Sequence, residues 1–262
     1  MVEKIKKQIE KVRKYEFLFS ELVKRDFKKK YKRTVLGMFW SILSPLLQLI
    51  VMAVVFTRFF GRNTEHYIIY LFSGNLIFSF FKDATNGGMH ALMSNANIIK
   101  KINVPKYLFM LSKEVSSCIN FGLTLIIYFI FVAVDGIAFS PRFLLLIYPV
   151  ACLLIFNIGV GFILSALFVI FKDIQYLYDI FTQLLMYLSA IFYNVSAYSE
   201  KIQKLFYCNP VYVYITYFRQ VVIGGIVPAW WIHVLCAVYA LAVLITGMII
   251  YKKYNYKFMY YI

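Results

Sequence analysis

The stretch "KRDFKKKYKRTVLGMFWSILSPLLQLIVMAVVFT", residues 24–57, joins seven Lys and Arg and one Asp to 24 consecutive residues without a formal charge. The first part seeks water or an anionic surface, and the second seeks to leave water. About 20 predominantly apolar residues cross a bilayer as a helix. Working outward, uncharged runs recur at 115–134, 143–171, 180–199 and 220–251. The chain is 62% hydrophobic and 15% charged, far from the ordinary soluble balance. These features read as an all-α integral membrane protein, because helices satisfy their own backbone hydrogen bonds in lipid.

Six spans are expected, at about 36–59, 67–92, 112–134, 143–171, 175–193 and 230–251. The second begins with a short run, 67–81, and reaches full length only by continuing past Lys82 and Asp83. No repeat or separate soluble domain is evident, so residues 1–262 read as one transmembrane domain: a basic segment over 1–35, the membrane part over 36–251 and a tail over 252–262. With six spans both termini share a side, and that side carries 21 of the 28 Lys and Arg. The positive-inside rule makes it cytoplasmic. The formal charge of +16 then faces anionic lipid, and nucleic-acid binding is not expected. The long charged start does not resemble a cleavable signal peptide.

Within the opening stretch, Tyr15, Leu18, Phe19, Leu22, Val23, Phe27 and Tyr31 recur at three- and four-residue steps and share one helical face. Lys24, Arg25, Lys28, Lys29, Lys32 and Arg33 occupy much of the rest. Such a helix lies in the membrane interface, apolar face down. Gly37 lets the chain turn into the first span. The basic run is either a topology anchor or a ramp for an anionic, lipid-linked substrate.

No G-x-x-x-x-G-K-[ST] loop occurs, so ATP hydrolysis by that route is not expected of this chain. His66, His90 and His233 are scattered, and no metal site or bound cofactor is expected. Lys82, Asp83 and Asn86 head a polar stretch, 82–97, tolerated at membrane depth where it packs on protein or lines a watery cavity. The following "IIKKINVPKYLFMLSKE" is divided by Pro105 and suits a short helix that docks a cytosolic partner. In 194–229, Asn209 is placed to cap a helix, Pro210 stands at its first position and Gly224–Gly225 at its end. This outer segment is too apolar for a solvated loop and is expected to re-enter the outer leaflet.

The order of motifs resembles the membrane subunits of ABC-2 type exporters of polysaccharides such as O-antigens, teichoic acids, capsules and rhamnans. The resemblance rests on Arg25-Asp26 through "YKRTVLGMFWSILSPLLQ" (31–48), "NANIIKKINVPKY" (95–107), "FKDI" (171–174), "SAIFY" (189–193), "NP" (209–210) and the basic, Tyr-rich tail. The family often carries Pro where Ala190 stands. The resemblance implies a half-transporter in the bacterial cytoplasmic membrane that pairs with a second copy of itself and is driven by two copies of a separate ATPase holding ATP and Mg. It implies that Asn95, Asn97, Ile98, Ile99, Lys100, Lys101, Ile102, Pro105 and Lys106 form the coupling helix on that ATPase. It further implies that a glycan on undecaprenyl diphosphate enters past Arg25, Lys28, Lys32 and Arg33, with Tyr31, Phe39 and Trp40 offering flat surfaces. The rival within transport is an ABC-2 exporter of a drug, peptide or lipid. A membrane-embedded transferase would need a buried His or carboxylate constellation, and none is visible.

Overall fold

A computed structural model describes the backbone of residues 2–31, 34–60 and 65–261, and the side chains of 15–29, 34–37, 39–56, 65–258 and 260–261. Every regular element among them is helical. The first is α1 (Val2–Tyr31), followed by a single turn at Gly37–Phe39 and then α2 (Trp40–Phe60). Gly37 holds φ 51, the left-handed conformation that glycine adopts without steric cost. On α1, Leu22 is buried and Tyr15 and Leu18 pack beside it, whereas Lys24, Lys28 and Lys29 are exposed. Part of the expected face thus packs against Ile99, Phe109 and Val169 of this chain, where the sequence reading laid it on the membrane interface.

Next come α3 (Tyr67–His90), α4 (Ala96–Lys101) and α5 (Tyr107–Val134). Pro105 separates α4 from α5, as its missing N–H and restricted neighbour require. A 3-10 stretch at Pro141–Leu146 leads into α6 (Ile147–Ile170), and α7 (Ile174–Leu188) follows after a three-residue break. The helices Tyr107–Val134, Pro141–Ile170 and Trp230–Tyr254 are long and apolar enough to cross a membrane, with mean hydropathy of 2.2, 2.6 and 2.4. Trp40–Phe56 is a shorter apolar helix.

The expected span 175–193 is cut short, because α7 ends at Leu188. Ser189 turns its hydroxyl back to the Leu185 carbonyl, and Ala190 adopts φ 49. A proline ring fixes φ near −65°, so this turn differs from one built on Pro at the same position. The segment 194–229 then forms α8 (Glu200–Phe206) and α9 (Pro210–Val222) before α10 (Trp230–Tyr254) and the short α11 (Phe258–Tyr261). Asn209 caps α9 as expected, its side-chain oxygen accepting from the Val211 and Tyr212 N–H groups at 3.0 and 3.4 Å.

Two devices hold the helices together. Gly159 on α6 and Gly247 on α10 face one another so closely that a Cβ on either would run into the opposing backbone. Small residues permit this approach where lipid supplies no hydrophobic drive between helices. The second device is Arg219 of α9, only 9% exposed. Its guanidinium donates to the carbonyls of Ala190, Tyr70 and Ile191 at 2.9, 3.0 and 3.1 Å and to the Ser73 hydroxyl at 3.3 Å. It also lies over the Tyr70 ring, 3.4 Å from the centroid. The Tyr67 and Tyr70 hydroxyls add bonds to the Phe192 and Tyr193 carbonyls at 2.7 and 2.6 Å. The carbonyls freed where α7 ends are thus satisfied by side chains of α3 and α9.

Candidate functional site

Three helices each carry a polar stripe at helical spacing: Ser41, Ser44 and Gln48 on α2; Asn75, Ser79, Lys82 and Asp83 on α3; Ser117, Asn120 and Thr124 on α5. The fold turns the three stripes toward one cavity of ≈ 560 Å³. Trp40 and Pro45 of α2 also line it, as do Phe80 and Phe121, whose rings stack at 4.4 Å. Within the lining, the Ser79 hydroxyl reaches the Asn75 side-chain oxygen at 3.3 Å. Hydroxyls and amides at this depth present donors and acceptors without a fixed charge, beside a few aromatic faces.

A second cavity, of ≈ 310 Å³, shares Asp83, Ser117 and Asn120 with the first and adds Asp26, Lys29, Lys113 and Ser116. The two form one polar route from the basic helix α1 into the space between α2, α3 and α5. Asp26 anchors its outer end. Its carboxylate is buried and accepts from Arg25 at 2.8 and 3.1 Å, from Lys113 at 3.1 Å and from the Ser112 hydroxyl at 3.3 Å. This clamp fastens α1 to α5.

Arg25 has a second partner, the side-chain oxygen of Asn95, at 2.7 Å. The Asn95 amide nitrogen in turn donates to the Ala91 carbonyl at 2.7 Å. Residues read from the sequence as parts of two separate devices, the basic helix and the segment after α3, are therefore in direct contact. In α4 itself, Ile99 is buried in a cluster with Leu22, Phe109 and Val169, and Ile98 packs partly against it. Asn97, Lys100, Lys101 and Ile102 are exposed, Ile102 by 50%. Pro105 is half-buried. Lys106 donates to the Asn255 carbonyl at 2.9 Å beside the Phe258 ring. Burial lowers the pKa of the Lys106 ammonium.

Of the residues singled out in the sequence, Trp40, Lys82 and Asp83 line the first cavity, Lys28 is exposed and Phe39 is exposed nearby on the turn before α2. Asn86 is not in the lining. Its side-chain oxygen is buried, and its carbonyl lies 3.0 Å from the His90 ring nitrogen, on a stretch of α3 that meets α7 through Thr85–Tyr178 and His90–Gln175 contacts. Lys32 and Arg33, and the side chain of Tyr31, lie outside the described residues. The sequence reading passed over Lys113, Ser117, Asn120 and Thr124. Their three- and four-residue spacing was the available signal.

Comparison with known proteins gives this geometry a context. The family model described as "ABC-2 type transporter" matches residues 18–223. An O-antigen export system permease protein, RfbA, of Klebsiella pneumoniae is 27% identical over 247 residues, covering 92% of this chain and 95% of its own length. The protein of the same description from Myxococcus xanthus is 26% identical, over 71% of this chain and 72% of its own. The polysialic acid transport protein KpsM of Escherichia coli is 20% identical over 87% of this chain and 90% of its own. The family match extends from within α1, through the polar route, to the end of α9, and the chain belongs to the ABC-2 type transporter family.

Proposed function

We propose that this chain is the membrane half of an ABC exporter that carries a surface polysaccharide across the cytoplasmic membrane. The relatives named above are described by O-antigen and polysialic acid transport, which favours a glycan over a drug or peptide. The observation that carries the reading is the polar route joining α1 to the cavity between α2, α3 and α5. In this reading the glycan is attached to a lipid diphosphate. Lys28 and Lys29, with Lys32 and Arg33, receive the diphosphate through charge-assisted hydrogen bonds. Trp40 guides the first sugars, and the hydroxyls and amides of the three stripes exchange hydrogen bonds with the glycan. Arg25 holds α1 in place through Asn95, and Asp26 does so through Lys113.

The remaining parts follow. A separate cytosolic ATPase supplies the energy, docking on α4. A second copy of the chain completes the channel, set against the exposed apolar faces of α2 and α7. The six helices α2, α3, α5, α6, α7 and α10 span the membrane, the two termini are cytoplasmic, and α8 and α9 re-enter the outer leaflet.

The chain carries its own topology probe. Among the four cysteines, Cys208 is exposed, Cys118 is half-buried, and Cys152 and Cys236 are buried. A membrane-impermeant maleimide applied to intact cells should label the wild-type chain, and Cys208→Ala should abolish the signal. A wild-type chain that is labelled only after the cells are permeabilised, with that label lost in Cys208→Ala, would reject the outer placement of 194–229.

Export itself is tested at Trp40. Trp40→Leu keeps apolar character but removes the flat face. The variant should insert normally and support basal ATP hydrolysis in complex with the ATPase. Polymer export should fall at least about tenfold, with lipid-linked glycan accumulating inside. Wild-type export from this variant would remove Trp40 from the entrance.

A further inference from the structure

A third cleft, of ≈ 530 Å³, lies apart from the polar route and is lined by Glu200, Gln203, Lys204, Tyr207 and Trp231. The first four stand at three- and four-residue steps along α8 and its C-terminal cap, so they share one face. Trp231, the second residue of α10, closes the other side. The Tyr207 and Trp231 rings meet edge to face at 4.8 Å, making an aromatic corner. Tyr207 is fixed by the Tyr239 hydroxyl, which donates to its carbonyl at 2.8 Å. Gln203 is fixed too. Its amide nitrogen donates to the Tyr198 carbonyl at 2.8 Å, which leaves its oxygen as an acceptor. Among the described residues neither Glu200 nor Lys204 has an ion-pair partner.

The chemistry of this set is selective. Glu200 offers two acceptor oxygens, suited to neighbouring hydroxyls, and Lys204 offers donors. One negative and one positive group cancel, so neither a phosphate nor an ammonium group finds a net attraction. Flat apolar ring faces flanked by convergent donors and acceptors suit a ligand with apolar C–H faces and a hydroxyl rim. We infer that this cleft is a saccharide-binding site that holds one or two neutral sugar units. In the topology proposed above, on which this inference rests, the site lies on the outer face. It takes sugars of the exported polymer after they have crossed, well away from the entrance at α1.

The test uses the full chain in lipid nanodiscs. The probe is a set of short oligosaccharides released by mild acid from the surface polysaccharide of the cells that carry the gene. Saturation-transfer NMR should show saturable binding, strongest at the sugar C–H protons. Trp231→Ala and Glu200→Gln should each weaken binding about tenfold. Trp231→Phe should retain most of it, and Trp230→Ala, at the neighbouring ring that is 77% exposed and not in the cleft lining, should change nothing. Glu200→Gln keeps the shape of an exposed side chain, so it reads the site even where the larger tryptophan change disturbs folding. Glycerophosphoglycerol, a soluble lipid headgroup, should not compete. The inference is overturned by absence of saturable binding, by wild-type affinity in both Trp231→Ala and Glu200→Gln, or by competition from glycerophosphoglycerol, which would make the cleft a lipid site. Polymer export is measured in the same cells. A wild-type chain that exports no polymer sinks the exporter reading, whereas export without oligosaccharide binding sinks this cleft alone.

Discussion

Arg219→Met should loosen the whole outer end of the molecule. The substitution keeps length and apolar bulk but removes the donors that serve the Ala190, Ile191 and Tyr70 carbonyls and the Ser73 hydroxyl. A buried carbonyl left without a donor costs about 1–3 kcal/mol. The Tyr70 carbonyl keeps the Ser73 hydroxyl at 2.9 Å and the Ala190 carbonyl keeps the Tyr70 hydroxyl at 3.4 Å, so the expected loss is about 2–4 kcal/mol. The loss of the Tyr70 stacking adds to it. Arg219→Lys should rescue little, because an ammonium cannot fork to three carbonyls from one position. The measurement is the thermal unfolding midpoint in detergent together with protease cleavage across 194–209. The midpoint should fall by about 5 °C or more, with cleavage appearing well below it. Wild-type behaviour of both variants would show that the carbonyls find other donors and that Arg219 is dispensable.

The second large effect is expected at Ile102, in the proposed ATPase contact. The fold divides the apolar residues of this segment by task. Ile99 is spent inside the molecule, Ile98 partly so, and Ile102 stands half exposed among the described residues. Ile102→Asp therefore leaves the chain's own packing intact but sets a carboxylate in the groove that the ATPase offers. An unpaired charge there costs several kcal/mol, enough to reduce affinity more than a hundredfold. The chain should insert at wild-type levels, fail to co-purify with the ATPase and show no substrate-stimulated hydrolysis. Ile99→Asp serves as the contrast and should lower the stability of the chain itself. Undiminished co-purification of Ile102→Asp would remove this segment from the contact.

What the sequence disclosed follows the range of the interactions concerned. The basic helix with its apolar face, the cap at Asn209, the break at Pro105 and the turn at Gly37 depend on neighbours a few positions away, and each is where the sequence places it. The end of α7 at Leu188 was not legible. It depends on Arg219, whose contacts lie 28, 29, 146 and 149 positions away. Arg219 reads in the sequence as a lone charge on the short helix expected after Asn209, and only the fold shows it buried. The polar cavity is an intermediate case. The spacing of Ser117, Asn120 and Thr124 was visible, but Ser and Thr in apolar helices also bond their own backbone, as Thr124 does to the Asn120 carbonyl at 3.0 Å. A stripe on one helix is therefore ambiguous, and three stripes gain meaning only once the helices are seen to face one another. The contact between Arg25 and Asn95 spans 70 positions and joins two motifs that looked independent.

That contact has a thermodynamic consequence. Arg25 ties α1 to the residue that begins α4, and Asp26 ties α1 to the first turns of α5. With both flanks of α4 fastened to it, α1 is coupled to α4, so the proposed intake for substrate and the proposed seat for the motor would share one coordinate. Linkage between binding events is reciprocal: if polymer at α1 raises the affinity for the ATPase by some factor, the ATPase raises the affinity for polymer by the same factor. Under the proposed assignment, loading and firing then belong to a single equilibrium, and a half-transporter without cargo holds its motor at the weaker of two affinities without any separate sensor.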